Sequence, residues 1–239
     1  MGGEKAGKAG MTDDFATRRA RARERLDAID PHMTPGGVDA DPMRREWFEA
    51  VYELSEGDPA GVPWANLAPH PLLAQWLETQ GRLDGQRALD VGCGLGDNAV
   101  ALAQAGARVV AFDLVARATA WARERFPDSG IEFVAADLFD PPPQWRGGFD
   151  LVHECYTLQA LPEALLPKAA TALADFVAPR GRLLVIARAR EEGQKVAGPP
   201  WPLTRAQVES LAVEGLTLQT IEDLTTQQGV RHWRANFAK

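Results

Sequence analysis

The sequence predicts an α/β domain built on a mostly parallel sheet with helices on both faces. A short apolar strand at residues 88–91 runs into a glycine-rich turn and then a helix, which is typical of a parallel crossover unit. Further strands and helices alternate between residues 108 and 187. Two strands then follow in succession across a turn at residues 227–229, so the last strand is expected to be antiparallel.

The chain before the sheet is predicted to be mainly helical. Residues 1–11 are small and polar, and we expect a disordered leader there. Residues 12–82 are predicted to form a helical segment that acts as a lid over the domain. Its helices are expected at residues 12–29 and 42–55, the second with Trp47 on its apolar face. The segment has too few apolar residues for an independent core.

Residues 83–239 are predicted to form one domain with seven strands. The expected strands lie at residues 88–91, 108–112, 131–134, 149–153, 182–187, 216–224 and 230–237. The expected helices between them begin near residues 97, 115, 162 and 204. A turn is predicted at residues 179–181, where Pro, Arg and Gly precede the fifth strand.

Composition and charge restrict the function. The chain has 239 residues and a net charge of −7, which argues against nucleic-acid binding and fits a soluble enzyme of small molecules. Its two cysteines cannot form a disulfide framework, so a cytoplasmic location is expected. No apolar run approaches the roughly 20 residues of a membrane span, so no membrane partner is expected. No metal-ligand spacing is present, so no metal is expected either. The oligomeric state is left open.

The spacing of the glycines indicates which nucleotide the turn binds. Gly92, Gly94 and Gly96 follow G-x-G-x-G, whereas a dinucleotide-binding turn is G-x-G-x-x-G, with its last glycine at the place of Asp97. A carboxylate there would face the charge of a pyrophosphate, so NAD and FAD are disfavoured. Asp113 ends the second strand about 20 residues further on, where a carboxylate can bind a ribose diol.

Together with Asp90, this turn resembles motif I of the class I S-adenosylmethionine-dependent methyltransferases, D/E-x-G-x-G-x-G. The resemblance covers residues 83–237 and implies a Rossmann-like fold of five parallel strands closed by a hairpin. A closer resemblance is to the thiopurine, thiol and halide methyltransferases. It rests on Pro-Trp at 63–64, Pro-His-Pro at 69–71, the extended turn at 92–99 and Gly-Pro-Pro at 198–200.

The resemblance implies S-adenosylmethionine as the cofactor and names the residues that would bind it. The glycines would line the methionine moiety, Asp113 the ribose and Asp137 with Leu138 the adenine. Three of the assignments have alternatives. Asp90 could only hydrogen-bond the turn, Asp113 could be an exposed acid at a strand end, and Trp47 could only pack in a core. The full expected set is Trp47, Trp64, Asp90, Gly92, Gly94, Gly96, Asp113, Leu114, Asp137, Leu138 and Glu154.

The predicted chemistry needs little from side chains. A sulfonium methyl group is already activated, so positioning and the exclusion of water supply most of the rate. A general base is needed only for an acceptor that is protonated at working pH. Glu154 and His153 are the expected catalytic residues and His70 is a third candidate, although His153 could instead be a buried structural histidine.

The expected reaction is methyl transfer to a small molecule, with a thiol or thiopurine-like sulfur as the first acceptor to consider. O- or N-methylation of a phenolic or secondary metabolite is an alternative. A third interpretation is a non-catalytic module that binds the cofactor and interacts with other proteins. The sequence does not name the acceptor, because acceptor pockets are built from variable loops.

Overall fold

The structure is a computed structural model, and it describes residues 6–30, 44–196 and 198–239. The chain divides into two compact units, Met1–Leu67 and Ala68–Lys239, which we call the N-terminal unit and the sheet unit. The sheet unit thus begins before residue 83, because the helix that ends at Gln80 packs within it.

The N-terminal unit is helical, as predicted. Its helices are α1 (Ala6–Asp27) and α2 (Arg45–Leu54), followed by a short 3₁₀ turn at Pro59–Gly61. Helix α1 begins within the predicted leader, of which residues 1–5 lie outside the described part of the chain. Helix α2 buries Val51 and Tyr52.

The sheet unit contains seven strands in the order β3-β2-β1-β4-β5-β7-β6. Strands β1 to β5 are parallel, and β7 is antiparallel to both β5 and β6. The predicted seven-stranded sheet with an antiparallel last strand is confirmed. The strands are β1 (Arg87–Val91), β2 (Arg108–Asp113), β3 (Glu132–Ala135), β4 (Phe149–Cys155), β5 (Val177–Arg188), β6 (Thr217–Thr225) and β7 (Arg231–Ala238).

Helices cover both faces of the sheet because successive strand residues point to opposite sides. Along β5, Leu183 and Val185 belong to one hydrophobic cluster, whereas Leu184 and Ile186 belong to a second. Helices α6 and α7 contribute to the first cluster, and α3, α4 and α5 to the second. The helices are α3 (Pro71–Gln80), α4 (Asp97–Gln104), α5 (Ala116–Arg125), α6 (Leu166–Phe176) and α7 (Arg205–Glu209).

The predicted turn at residues 179–181 lies inside β5, which extends from Val177 to Arg188. Arg180 has a left-handed φ of +66°, so the strand is locally irregular at the predicted position. Gly181 allows two strands to approach, since a Cβ atom there would lie 2.9 Å from the carbonyl oxygen of Phe149 in β4. The pairing of β4 with β5 shifts register between Phe149 and Leu151, beside this close approach.

The described residues include no helix that is both long and apolar enough to cross a membrane.

Candidate active site

The candidate site lies where the strand order reverses. Strands β2 and β3 lie on one side of β1, and β4 and β5 lie on the other. Ligands of open α/β sheets bind at the carboxyl ends of the strands at such a point. The ends of β1, β2 and β4 bring the glycine turn, Asp113 and Glu154 to this edge, because Val91 pairs with both Phe112 and Glu154.

The glycine turn leaves no room for a side chain at its first position. Gly92 has a φ of +64°, and a Cβ atom there would lie 2.2 Å from Oγ1 of Thr157. That hydroxyl donates to the carbonyl oxygen of Val91 at 3.1 Å, so the segment after β4 packs directly against the turn. Glycine is thus required at this position by both backbone conformation and space.

Asp97, which distinguishes this turn from a dinucleotide-binding one, is paired within the protein. Two nitrogens of Arg125 bind its two carboxylate oxygens at 2.8 and 2.9 Å. Arg125 also donates to the carbonyl oxygen of Leu95 inside the turn. Because bidentate pairs of this kind fix geometry as well as charge, Arg125 holds the turn against helix α5.

Asp113 is oriented by the backbone around it. Its carboxylate accepts from the amide nitrogens of Gly94 at 2.9 Å and Val115 at 3.0 Å. Burial raises the pKa of Asp113, whereas these backbone hydrogen bonds lower it. A carboxylate offers about four acceptor positions, and with a further backbone contact from Leu114 at least one remains at this partly exposed group. This arrangement fits a hydroxyl donor such as that of a ribose.

Asp90 and His153 form a buried pair inside the sheet. They are direct neighbours on β1 and β4, and Nδ1 of His153 lies 2.6 Å from Oδ1 of Asp90. Their exposed fractions are 1% for Asp90 and 0% for His153. The position of His153 agrees with the structural alternative, and its catalytic role stays a prediction. Within the described part of the chain, Oδ2 of Asp90 and Nε2 of His153 have no hydrogen-bond partner.

Glu154 places a buried carboxyl group at the carboxyl end of β4. Oε1 accepts from the amide of Leu158 at 2.9 Å, whereas Oε2 has no partner among the described residues. Burial raises the pKa of Glu154 to about 7, and backbone hydrogen bonds from Leu158 and Thr157 oppose that rise. A buried carboxyl oxygen without a partner costs free energy, so it fits a cationic group of a ligand.

This raised pKa predicts how Glu154→Gln changes the dependence of stability on pH. The folded protein retains the Glu154 proton up to about pH 7, whereas an unfolded glutamate releases it near its ordinary value of 4.5. The stabilisation is therefore complete below pH 4.5 and is lost as the pH rises through 7. Between about pH 5 and 8, the free energy of unfolding of the wild type should fall by about 2–3 kcal/mol relative to Glu154→Gln.

Urea unfolding of both proteins across this range measures the difference. Glu163→Gln is the matched control, because Glu163 is exposed in the turn before α6. A constant difference between wild type and Glu154→Gln at every pH would contradict the assignment.

The two residues predicted to meet an adenine lie after β3. Oδ1 of Asp137 accepts from the amide of Phe139 at 2.8 Å, which fixes this corner. Leu138 is only 6% exposed and packs in the core, so a ligand does not reach its side chain. Leu114 is partly exposed and follows Asp113 directly.

Trp47 and Trp64 lie in an aromatic cluster of the N-terminal unit. Their ring centroids are 6.0 Å apart, and Phe48 and Tyr52 pack edge-on against Trp64. The guanidinium of Arg44 lies 3.8 Å from the Trp47 ring centroid. Both tryptophans are therefore packed within their own unit, and their contact with the cofactor stays a prediction.

The sequence analysis missed two residues that join His70 at the same edge of the sheet. The hydroxyl of Tyr156 lies 3.0 Å from Nε2 of His70 and 2.6 Å from Nε2 of His232. A signal for Tyr156 was available, because it follows Glu154 by two residues. No sequence signal places His232 here, since only the pairing of antiparallel β7 with Arg188 at the end of β5 brings it to this edge.

The described residues contain no group of three or more His, Cys, Asp or Glu side chains that could hold a metal ion.

A family comparison agrees with this geometry. Residues 88–181 match the family model of the methyltransferase domain. Residues 88–181 carry a methyltransferase domain of the class I S-adenosylmethionine-dependent type. The resemblance predicted from motif I and Asp113 is therefore confirmed.

Known proteins related to this methyltransferase domain differ in their acceptors. The ubiquinone biosynthesis O-methyltransferase of Bordetella avium (strain 197N) is 36% identical over 99 residues, which are 40% of this chain and 41% of that protein. The probable thiol methyltransferase 2 of Arabidopsis thaliana is 28% identical over 156 residues, which are 64% of this chain and 67% of that protein. This chain thus spans less than half the length of the first relative.

A solved structure shows the same fold across most of this chain. It is the 1,6-didemethyltoxoflavin-N1-methyltransferase of Burkholderia thailandensis, with bound 1,6-didemethyltoxoflavin and S-adenosylhomocysteine. The TM-score is 0.66 at 16% sequence identity, over 84% of this chain and 89% of that one. At this identity the likeness establishes the fold.

Proposed function

We propose that the protein transfers a methyl group from S-adenosylmethionine to a small-molecule acceptor at the carboxyl edge of β1, β2 and β4. The observation that carries the proposal is the oriented carboxylate of Asp113 beside the glycine turn. The carboxylate of Asp113 can accept hydrogen bonds from a ribose diol. It also lies about 20 residues after the glycines, which is the spacing at which a carboxylate binds the ribose of a nucleotide cofactor. When bound, this cofactor supplies an activated methyl group on a positively charged sulfur.

The residues of the site have separate roles in this proposal. Asp113 binds the ribose, while Leu114 and the Asp137–Leu138 corner meet the adenine. The turn from Gly92 to Gly96 approaches the methionine moiety. Oε2 of Glu154 accepts from its ammonium group, which would satisfy an oxygen that is otherwise buried without a partner. Asp90 and His153 hold β1 and β4 together below the turn.

The acceptor is tested by a screen of methyl transfer to thiols, phenols and halide ions, with formation of S-adenosylhomocysteine as the readout. We expect turnover with at least one of these classes. Cofactor binding without turnover on any of them would overturn the proposal and favour a non-catalytic binding module. The cytoplasmic location and the lid function of the N-terminal unit stay predictions.

A further inference from the structure

Three side chains from separate parts of the sheet unit form a continuous hydrogen-bonded chain at the candidate site. His70 precedes α3, Tyr156 follows β4 and His232 lies in β7. The Tyr156 hydroxyl joins the two imidazoles, at 3.0 Å from His70 and 2.6 Å from His232. Both histidines are buried, with exposed fractions of 9% and 1%, whereas Tyr156 is partly exposed. The tyrosine is therefore the member that a ligand can reach.

Backbone contacts fix the direction of this chain. Nδ1 of His70 accepts from the amide of Leu72 at 3.2 Å, so the proton of His70 is on Nε2 and is donated to Tyr156. Nδ1 of His232 lies 2.8 Å from the carbonyl oxygen of Val230, so this nitrogen carries the proton and donates it. Nε2 of His232 is then unprotonated and accepts the hydroxyl proton of Tyr156.

The surroundings keep all three groups neutral near pH 7. Burial lowers the pKa of His70 to about 3, and the positive charge of Arg188 acts in the same direction. Burial also lowers the pKa of His232, although the Val230 carbonyl opposes this. Burial, with Cys155 nearby, raises the pKa of Tyr156 to about 12. His232 can thus accept a proton, and Tyr156 cannot readily release one without receiving another.

The Tyr156 oxygen retains one position for a ligand. A phenolic oxygen donates one hydrogen bond and accepts up to two, and His232 and His70 take the donor position and one acceptor position. The remaining position is at the same strand end as Glu154, where the proposed function places the reacting groups. The guanidinium carbon of Arg188 lies 5.7 Å from the Tyr156 ring centroid, and Arg188 lowers the pKa of the hydroxyl through its charge and a side-chain hydrogen bond. A ligand at the remaining acceptor position would therefore lie beside this guanidinium, whose positive charge faces any negative charge that develops there.

We propose that Tyr156 and His232 form a proton relay that deprotonates a hydroxylic methyl acceptor such as a phenol. This inference rests on the proposed methyl transfer and specifies its substrate class. As the acceptor oxygen uses an electron pair to bond the methyl carbon, the bond from that carbon to the cofactor sulfur would break with its electron pair left on sulfur, and the acceptor proton passes to Oη of Tyr156. The original Tyr156 proton passes at the same time to Nε2 of His232, which becomes an imidazolium and returns the proton to solvent after the reaction.

A hydroxyl acceptor explains this arrangement better than a sulfur acceptor. A thiol, with an ordinary pKa near 8.5, is already partly ionised at neutral pH, whereas a phenol with a pKa near 10 is not. Only the phenol gains substantially from a base during methyl transfer. Tyr156 would touch the substrate as a catalytic residue, and His70 would be a positioning residue that holds the tyrosine hydroxyl toward His232.

The test compares how methyl transfer depends on pH for several acceptors. The probes are substituted phenols, thiophenol and iodide, and the variants are Tyr156→Phe and His232→Gln. We expect kcat/KM of the wild type for phenols to be nearly constant between about pH 7 and 9, because the relay removes the proton. In both variants, kcat/KM for phenols should be about 100-fold lower at pH 7 than in the wild type. It should then rise about tenfold per pH unit, because only the phenolate fraction of the acceptor reacts.

Thr217→Val is the matched control, because it also removes one hydroxyl but lies at the start of β6, at the opposite end of the sheet. It should leave the pH profile unchanged. Transfer to iodide should change less than about threefold in every variant, since iodide has no proton to lose. A loss in Tyr156→Phe that is equal for phenols and iodide and leaves the pH profile flat would overturn the relay and indicate a structural role.

Nitrogen-15 NMR of the histidine rings tests the relay without turnover. The wild type should show a protonated Nε2 on His70 and a protonated Nδ1 on His232, and Tyr156→Phe should shift the free Nε2 of His232. The opposite tautomers would overturn the proposal. Turnover of thiophenol or iodide without any phenol would overturn the relay alone, whereas absence of all turnover would overturn the proposed function as well.

Discussion

Replacement of Gly92 by alanine is expected to reduce the free energy of unfolding by about 2–3 kcal/mol. A left-handed backbone accounts for about 1–2 kcal/mol of this, because alanine at a φ of +64° is strained. The remainder comes from the Thr157 hydroxyl, which lies 2.2 Å from the new Cβ and must leave its hydrogen bond to Val91. Chemical denaturation of the variant measures the sum, and a displaced turn should also weaken the binding of S-adenosylhomocysteine.

Two further variants separate the causes. Gly130→Ala is the matched control, because Gly130 has a φ of +69° and a Cβ atom added there would have no atom within 4 Å. The free energy of unfolding of Gly130→Ala should fall only by the cost of the backbone strain, and this variant should bind the cofactor as tightly as the wild type. The double variant Gly92→Ala/Thr157→Ala lacks the clash between the new Cβ and the Thr157 hydroxyl. Its loss of free energy of unfolding should therefore be smaller than the sum of the losses in the two single variants. Equal losses in Gly92→Ala and Gly130→Ala would contradict the close packing of the turn.

Replacement of Asp113 by alanine is expected to weaken binding of S-adenosylhomocysteine by about 1–3 kcal/mol, roughly 5- to 150-fold. The loss removes charge-assisted hydrogen bonds to the ribose and also frees the amides of Gly94 and Val115. Isothermal titration calorimetry measures the change in Kd.

Asp113→Asn tests which of these losses matters. It retains one oxygen acceptor for the backbone but removes the charge, so its Kd should lie between those of the wild type and Asp113→Ala. Asp128→Ala is the control for a simple change of net charge, because Asp128 is exposed in the loop after α5. A folded Asp113→Ala protein that binds as tightly as the wild type would show that the ribose assignment is wrong.

Much of the fold follows from local patterns in the sequence. Strands β1 and β2 are apolar runs that end at Val91 and Asp113, and the structure places their ends at one edge of the sheet. The antiparallel last strand follows from a turn too short for a crossover helix, with Gly229 at a φ of +76°. These features depend on neighbours in the chain, so the sequence alone predicts them.

The features that the sequence analysis missed depend on contacts between distant residues. Pro179 and Gly181 indicate a turn locally, yet β4 pairs with residues on either side of them, so this stretch is an irregular part of a longer strand. Residues 71–80 lie inside the segment predicted as the N-terminal lid, whereas Leu73 and Trp76 of α3 pack in the same hydrophobic cluster as Ala88 of β1.

The candidate site divides in the same way. Asp113 and the glycines are recognisable from their spacing along the chain. The hydrogen-bonded chain of His70, Tyr156 and His232 joins residues 86 and 76 positions apart, so only the assembled sheet brings it together.

The central claim is that the edge formed by β1, β2 and β4 binds S-adenosylmethionine, and a calorimetric titration of the whole protein with S-adenosylhomocysteine tests it most directly. We predict saturable binding at one site per chain that is weakened in Asp113→Ala and unchanged in Asp128→Ala. The same protein should give no heat with NADH. Binding of NADH, with neither heat nor a thermal shift from S-adenosylhomocysteine or S-adenosylmethionine, would contradict the account.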